Sequence, residues 1–246
     1  MSGHSKWATI RRKKEKIDSA RGRTFSKMIK EISIAARMGG GDEEGNPRLR
    51  SAVLAAKAAN MPAANIDRAI KKGIGALPGV TYENITYEAY GPGGTAVLID
   101  VMTDNRNRTV GEIRHMLTKN GGNMGESGSV AWMFTRRGQI MISAEGLDED
   151  EITMSALDAG AEDVIIDDDI VQVMTTPDMV DKVRLALEAQ SIKIEESSVT
   201  MIPQTLVPVE GTQARQLMRL LDGLDEHDDV QEFWTNSDIN EDSIEE

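Results

Sequence analysis

The segment that decides the fold is QIMISAEGLDEDEITMSALDAGAEDVIIDDDIVQVMTTPDMVDKVRLALEAQSIKIEESSVTMI, which spans residues 139–202. Its apolar residues predict first a strand and then a helix that has acidic residues at its start. Two strand-like runs around the acidic turn at 167–169 come next, followed by a second helix opened by Pro177 and a last strand. The order β-α-β-β-α-β predicts a ferredoxin-like domain, to which we assign residues 138–203.

The sequence on either side of this segment predicts a second α+β domain that the first one interrupts. Upstream, residues 80–135 hold two strand patterns, a helix whose T-V-G-E start at Thr109 has the form of a capping box, and a third strand at 130–135. Downstream, residues 204–236 hold one helix and one strand, which cannot form a core by themselves. We therefore expect residues 204–236 to pack back onto residues 80–135 as one discontinuous domain.

The two ends of the chain differ from this α+β centre. Residues 1–75 carry apolar stripes at spacings of three and four, with glycines at 39–41 and Pro47 at a helix start, so they predict an all-helical domain. Residues 237–246 are too polar to pack and predict a disordered acidic tail. The predicted fold class is α+β and multidomain: a helical N-terminal domain plus two α+β domains, one ferredoxin-like and inserted in the other.

Composition excludes several classes of protein. The chain has 246 residues and no Cys, which excludes a disulfide framework, a thiol nucleophile and a Cys-based metal site. No apolar run reaches the roughly 18 residues that a membrane helix needs. The basic start also lacks the apolar stretch of a secretory signal. We therefore expect a cytoplasmic protein that has no membrane partner.

No arrangement of residues predicts catalysis, a metal site or a cofactor. The histidines at positions 4, 115 and 227 have no ligand spacing, and the acidic runs at 148–151 and 167–169 lack the pattern of an EF-hand loop. We interpret these runs as a helix start and a hairpin turn. The glycine cluster at 91–94 lacks the Lys-Ser/Thr pair of a P-loop. The sequence therefore predicts a non-enzymatic protein without metal or cofactor.

The charge is distributed very unevenly along the chain. The net charge is −13, yet residues 1–75 carry 17 Lys+Arg against 7 Asp+Glu, while residues 141–246 carry 5 against 28. Lys and Arg at the density of the N-terminus attract nucleic-acid phosphates, and basic segments commonly become ordered on binding. The alternative is a solvated helix face at residues 11–16. The candidate nucleic-acid-binding residues are Lys6, Trp7, Arg11, Arg12, Lys13, Lys14, Lys16, Arg21, Arg23, Lys27 and Lys30.

A second glycine cluster, at residues 121–128, precedes a predicted strand and not a helix, so it is not a dinucleotide-binding fingerprint. Its bare backbone fits either an ordinary turn or an adaptable loop that approaches RNA or another macromolecule closely. We expect Met124 to be a flexible apolar tip of this loop. The candidate contact residues are Gly121, Gly122, Asn123, Met124 and Gly125.

Five motifs in order carry a family resemblance. They are MSGHSKWATIRRKK at the start, AANMP with NIDRAI at 58–70, YEAYGPGG at 87–94, TDNRNRT at 103–109 and GSVAWMF at 128–134. Together they resemble the YebC/PmpR family densely over the first 134 residues, and the rest of the chain agrees in length and pattern.

The resemblance implies a three-domain, cytoplasmic, DNA-binding transcriptional regulator without enzymatic activity. It also implies an alternative role, a ribosome-associated translation factor that binds rRNA and relieves stalling at proline-rich stretches. A third interpretation is a protein-interaction adaptor whose acidic inserted domain meets a basic partner. Because phosphate attraction does not distinguish DNA from RNA, the sequence supports both nucleic-acid roles equally, and it leaves the oligomeric state open.

Overall fold

The computed structural model describes residues 18–167 and 170–239, and its N-terminal part is a bundle of three helices. The apolar stripes seen in the sequence form the bundle core, in which Ile32, Leu49, Val53 and Ile66 are buried. The helices are α1 (Asp18–Gly39), α2 (Pro47–Ala58) and α3 (Ala63–Gly73).

A four-stranded antiparallel sheet forms the middle of the molecule, in the order β3-β1-β2-β9. Two helices cover one face of this sheet, and Ile99, Ile113, Leu117 and Leu221 are buried between the helices and the sheet. The C-terminal strand β9 pairs with β2, so the end of the chain returns to the region that precedes the inserted unit. The elements are β1 (Glu83–Tyr90), β2 (Ala96–Thr103), α4 (Arg106–Lys119), β3 (Asn123–Met124), α7 (Gly211–Glu226) and β9 (Val230–Thr235).

The inserted unit has the predicted order β-α-β-β-α-β and a sheet of order β5-β6-β4-β7 in which all neighbours are antiparallel. Both of its helices pack on one face of this sheet around Ile140, Ile142, Val173 and Leu187. This is the ferredoxin-like arrangement. The elements are β4 (Phe134–Ser143), α5 (Glu149–Ala159), β5 (Asp163–Asp167), β6 (Ile170–Thr175), α6 (Val180–Ala189) and β7 (Ile194–Pro203).

These elements confirm the predicted fold class, with helices first and two α+β units after them, one inserted in the other. The residue bounds assigned to the domains stay a prediction. Within the described residues, no helix is both long enough and apolar enough to span a membrane.

Two predicted details around residue 130 and Thr109 are wrong. Residues 130–133 are not a strand: Ala131–Met133 is a 3₁₀ turn, and the strand that begins at Phe134 is β4 of the inserted unit. Helix α4 begins at Arg106, with Asn105 as its N-cap, whose side chain accepts the N–H of Arg108 at 3.1 Å. Thr109 is therefore already inside the helix, where its buried hydroxyl has another role.

Three residues of the predicted disordered tail form a strand. Ser237–Ile239 form β10, which pairs in parallel with β8 (Val207–Val209), and Ser237 and Ile239 are fully buried. The prediction of disorder is wrong for these three residues because neighbouring Asn236 accepts the N–H of Ala96 at 2.7 Å and fixes the chain against β2. Residues 240–246 lie outside the described residues.

Candidate nucleic-acid interface

The predicted nucleic-acid-binding residues fall into three groups in the structure. Lys6, Trp7, Arg11, Arg12, Lys13, Lys14 and Lys16 lie outside the described residues. Arg21 and Arg23 lie on the first turns of α1, and Lys27 and Lys30 follow one and two turns later on the same helix.

Lys27 and Lys30 join α1 to the end of α7 and the turn after it. The Lys30 Nζ lies 2.7 Å from Asp229 Oδ1 and donates to the carbonyl of Asp228 at 2.8 Å, and the Lys27 Nζ donates to the carbonyl of Asp225 at 3.3 Å. Lys30 is buried, and its ammonium also lies 5.7 Å from the centre of the Tyr82 ring. In this structure both lysines make contacts within the chain.

Asp229 is the centre of this junction. Its second oxygen, Oδ2, accepts from the Arg108 guanidinium at 2.6 Å and from the Thr109 hydroxyl at 2.7 Å. Burial raises the pKa of Asp229, but the hydrogen bonds from Lys30, Thr109 and Arg108 outweigh it and hold the pKa well below its ordinary value. The buried carboxylate is therefore ionised and fully partnered at neutral pH.

A groove of about 690 Å³ lies beside Asp229, between α1 and the start of α4. On its wall the His227 Nε2 lies 3.0 Å from Glu112 Oε2, and the His227 Nδ1 accepts the backbone N–H of Asp229 at 3.1 Å. Since Nδ1 accepts a hydrogen bond, the Nε2–H of the neutral ring donates a hydrogen bond to the Glu112 carboxylate.

The oxygens of Glu112 and Asp229 and a ring nitrogen of His227 all lie within 4.8 Å of one another, a spacing that would suit a metal ion. Arg108, however, already lies between the two carboxylates, with its nitrogens 2.6 Å from Asp229 Oδ2 and 3.9 Å from Glu112 Oε2. A metal ion would have to displace this guanidinium. The geometry therefore fits an ion-pair junction between the helical bundle and the middle sheet.

Helix α3 presents three cations that are not among the predicted nucleic-acid-binding residues. Arg68, Lys71 and Lys72 are exposed, and none of them forms an ion pair with another residue of the described chain. Their spacing of three and four places them on one side of the helix, opposite the buried Ile66 and Ala69. These cations could have been found from the sequence, because the helical period that predicts the apolar stripe also predicts that Arg68, Lys71 and Lys72 share the opposite, exposed side.

Part of the predicted contact loop forms a short strand. Asn123 and Met124 form β3 and pair with Tyr90 and Ala89 at the edge of the middle sheet. Met124 is half-buried and packs against the core under α4 and α7, so the expectation of a flexible tip is wrong. Gly122 is held so closely that a Cβ there would lie 2.5 Å from the carbonyl oxygen of Tyr90.

Glu88 fixes the chain that follows this loop. Its buried carboxylate accepts the backbone N–H groups of Gly128 at 2.6 Å, Val130 at 2.7 Å and Ala131 at 2.8 Å. Burial raises the pKa of Glu88, but these hydrogen bonds outweigh it and hold the pKa below its ordinary value. Nothing in the alternating pattern of β1 signalled this role, because the partners lie 40 to 43 residues further along the chain.

Comparison with known proteins gives two family matches that together cover almost the whole chain. Residues 5–76 match the family described as TACO1/YebC protein N-terminal domain, and residues 82–237 match the one described as TACO1/YebC second and third domain. The resemblance predicted from the sequence motifs is thereby confirmed.

Named relatives and a solved structure agree with these matches. A probable transcriptional regulatory protein of Desulforapulum autotrophicum is 55% identical over 97% of both chains. One of Syntrophobacter fumaroxidans is 56% identical over 97% of this chain and 96% of its own. The crystal structure of a conserved hypothetical protein from Aquifex aeolicus is 44% identical, with a TM-score of 0.80 over 92% of this chain and 93% of its own.

Proposed function

The chain belongs to the TACO1/YebC family, and from this premise we propose that it is a non-enzymatic regulator of gene expression that binds nucleic acid. The name of its relatives, probable transcriptional regulatory protein, supports a role in transcription. The observation that carries nucleic-acid binding is the exposed cationic row of Arg68, Lys71 and Lys72, which has no ion-pair partner among the described residues, in a chain whose net charge is −13.

This row on α3 adds to the positive charge of the N-terminal segment. The helical bundle follows the segment that holds Lys6 to Lys16, and the two together concentrate most of the positive charge of the chain. Exposed Lys and Arg side chains bind phosphates without reading bases, so affinity is expected to depend steeply on salt and weakly on sequence.

The hydrogen bonds to two buried acids support a non-enzymatic role. Asp229 and Glu88 accept hydrogen bonds that hold their pKa values low, so neither is suited to take up a proton near neutral pH. Both carboxylates instead fix backbone and helices in place. A binding role therefore accounts for the polar residues of the described chain better than an enzymatic one.

We assign the loop at residues 121–125 to the contact surface for the macromolecular partner. Gly121 is exposed and leaves the backbone uncovered at the end of α4, and Asn123 is exposed at the sheet edge. The strand β3 holds this edge in one position. A preordered edge loses less conformational freedom on binding than a flexible loop does.

The experiment compares two double variants of the full chain. Lys71→Gln/Lys72→Gln removes two cations from α3, and Lys182→Gln/Lys193→Gln removes two exposed cations from the inserted unit as a control. Binding of a labelled DNA duplex and of a single-stranded RNA is measured between 50 and 200 mM salt. We expect the α3 variant alone to lose affinity, with a salt slope smaller by about 0.9 for each duplex phosphate contact removed.

A parent chain that binds neither probe, or equal losses in both variants, would contradict the proposal. The same titrations compare DNA with RNA. Sedimentation of a lysate with RNase and with DNase then shows whether the protein travels with ribosomes or with DNA, which separates the translational role from the transcriptional one.

A further inference from the structure

Helices α4 and α7 lie side by side in opposite directions on the outside of the middle sheet. Thr109 meets Asp229 beyond the end of α7, and the Met116 sulfur lies 3.4 Å from where a Cβ of Gly223 would be. At the other end, a Cβ of Gly121 would lie 3.5 Å from Gln216 Oε1. This antiparallel register places Lys119 level with Arg219.

The charge of this helix pair is divided between its two ends. Residues 113–125 and 211–221 hold four Lys and Arg residues and no Asp or Glu, whereas the opposite end carries the acids Glu112, Asp222, Asp225 and Glu226 beside Arg106 and Arg108. Of the four cations three are exposed and Arg215 is half-buried, with its carbonyl accepting from the Arg219 Nε at 3.2 Å. The basic end of the pair is defined by Arg114, Lys119, Arg215 and Arg219.

These four cations are not neutralised by the rest of the described chain, in which none of them forms an ion pair. This differs from Arg108 at the opposite end, which is held between Asp104 and Asp229. A patch with cations at its centre and acids only at its rim, on a strongly acidic protein, is the place where a polyanion meets the least repulsion.

Two glycine turns border the basic end and leave it accessible. A Cβ of Gly93 would lie 3.4 Å from Gln213 Oε1, which places the turn at residues 91–94 beside the start of α7. Gly121 lies next to Gln216 in the same way. The surface between the turns thus presents backbone and neutral amide groups, which donate hydrogen bonds to phosphate oxygens. Glu126 and Glu210 stand at its rim.

From this arrangement we propose that the basic end of the α4–α7 pair binds the sugar-phosphate backbone of the same nucleic acid that the helical bundle binds. The proposal rests on the proposed function and adds a second contact surface to it. Two surfaces on one ligand raise affinity because the second contact forms within the complex, at an effective concentration set by the distance between the surfaces.

The test uses the full chain and the variant Lys119→Gln/Arg219→Gln, with Lys182→Gln/Lys193→Gln as the control that removes equal charge elsewhere. The probes are those of the preceding experiment, a DNA duplex and a single-stranded RNA. We expect the variant to lose roughly tenfold in affinity at low salt and its salt slope to fall by about 1.8 on duplex, while the control matches the parent. Arg114→Gln/Arg215→Gln is a second variant, expected to show the same direction.

The outcomes separate the two proposals. If the parent and the Lys71→Gln/Lys72→Gln variant differ but both variants of the basic end bind like the parent, this surface does not contact nucleic acid, and the result would favour a protein partner with an acidic face. If the parent binds neither probe, the proposed function itself is wrong. The melting temperature of each variant is compared with that of the parent, to separate a loss of binding from a loss of the folded state.

Discussion

Lys30 and Asp229 form a buried ion pair, with Nζ 2.7 Å from Oδ1, between residues 199 positions apart in the sequence. The pair joins the first described helix to the turn after α7. Because Asp229 also accepts from Arg108 and Thr109, one carboxylate connects α1, α4 and the start of β9. The attachment of the helical bundle to the middle sheet therefore depends strongly on this one side chain.

The first prediction concerns Asp229→Asn. The substitution leaves the cations of Lys30 and Arg108 without their buried partner, and breaking a buried pair in this way costs about 3–5 kcal/mol. Thermal melting and chemical denaturation measure the change in the free energy of unfolding. Asp228→Asn is the matched control, since the Asp228 side chain is exposed and only its backbone carbonyl accepts from Lys30. Equal stability of the two variants would refute the role of Asp229.

The second prediction concerns Glu88→Gln. The amide keeps the size of the side chain but replaces one acceptor oxygen with a donor that faces backbone N–H groups. We expect a loss of about 1–3 kcal/mol, the usual cost of unsatisfied buried groups. Hydrogen exchange of the amides of Gly128, Val130 and Ala131 is expected to accelerate.

The dependence of this effect on pH follows from the lowered pKa of Glu88. A carboxylate whose pKa is depressed in the folded state stabilises the fold above its ordinary pKa and loses that contribution as pH falls through the folded value. The stability difference between the parent and Glu88→Gln is therefore expected to be full near pH 7 and to shrink below about pH 4.5. A difference that stays constant down to pH 3 would show that the charge of Glu88 does not matter.

The periodic elements of this fold could be predicted from the sequence, whereas the short and non-periodic ones could not. The inserted β-α-β-β-α-β unit has long apolar patterns, and its order was predicted correctly. The strand β3 has two residues and β10 has three, so neither shows a period, and both are held by partners far along the chain.

The polar sites depend on the same kind of distant contact. Asp229 and Glu88 look like ordinary acids in the sequence, because the residues that hydrogen bond to them lie elsewhere in the chain. The basic character of the N-terminal residues, by contrast, is visible in the sequence as local charge density. Nothing in the spacing of Lys119 and Arg219 indicated that the antiparallel packing of α4 and α7 places them at the same level.

The third prediction concerns Met124→Ala. Because Met124 packs against the core from β3, removing its side chain is expected to cost about 1–2 kcal/mol, less than a fully buried methionine. Met38→Ala is the matched control, since Met38 is 73% exposed, and is expected to change stability by no more than about 0.5 kcal/mol. If both variants melt like the parent, β3 does not hold Met124 on the core.

The last prediction concerns Glu232, which lies directly opposite Asp100 in the pairing of β9 with β2. Desolvation of its carboxylate by neighbouring groups raises the pKa of Glu232 although the residue is exposed, the carboxylates of Asp100 and Glu196 raise it further, and Lys27 lowers it by less. A raised pKa means that the charged form is disfavoured in the folded state, so ionised Glu232 destabilises the protein above that pKa and ceases to do so as pH falls through it. Because the Glu232 side chain is exposed and its charge is screened by water, Glu232→Gln is expected to stabilise the protein near pH 7 by only about 0.2–0.5 kcal/mol, the low end of the size of a cross-strand pair, with no gain below about pH 4. Melting curves from pH 4 to 8 measure this, with Glu83→Gln, an exposed glutamate on β1 opposite Thr103, as the control that is expected to show no such gain. A gain of the same size at pH 4 and pH 7 would contradict the electrostatic origin, because a neutral Glu232 at the lower pH has no charge left to remove.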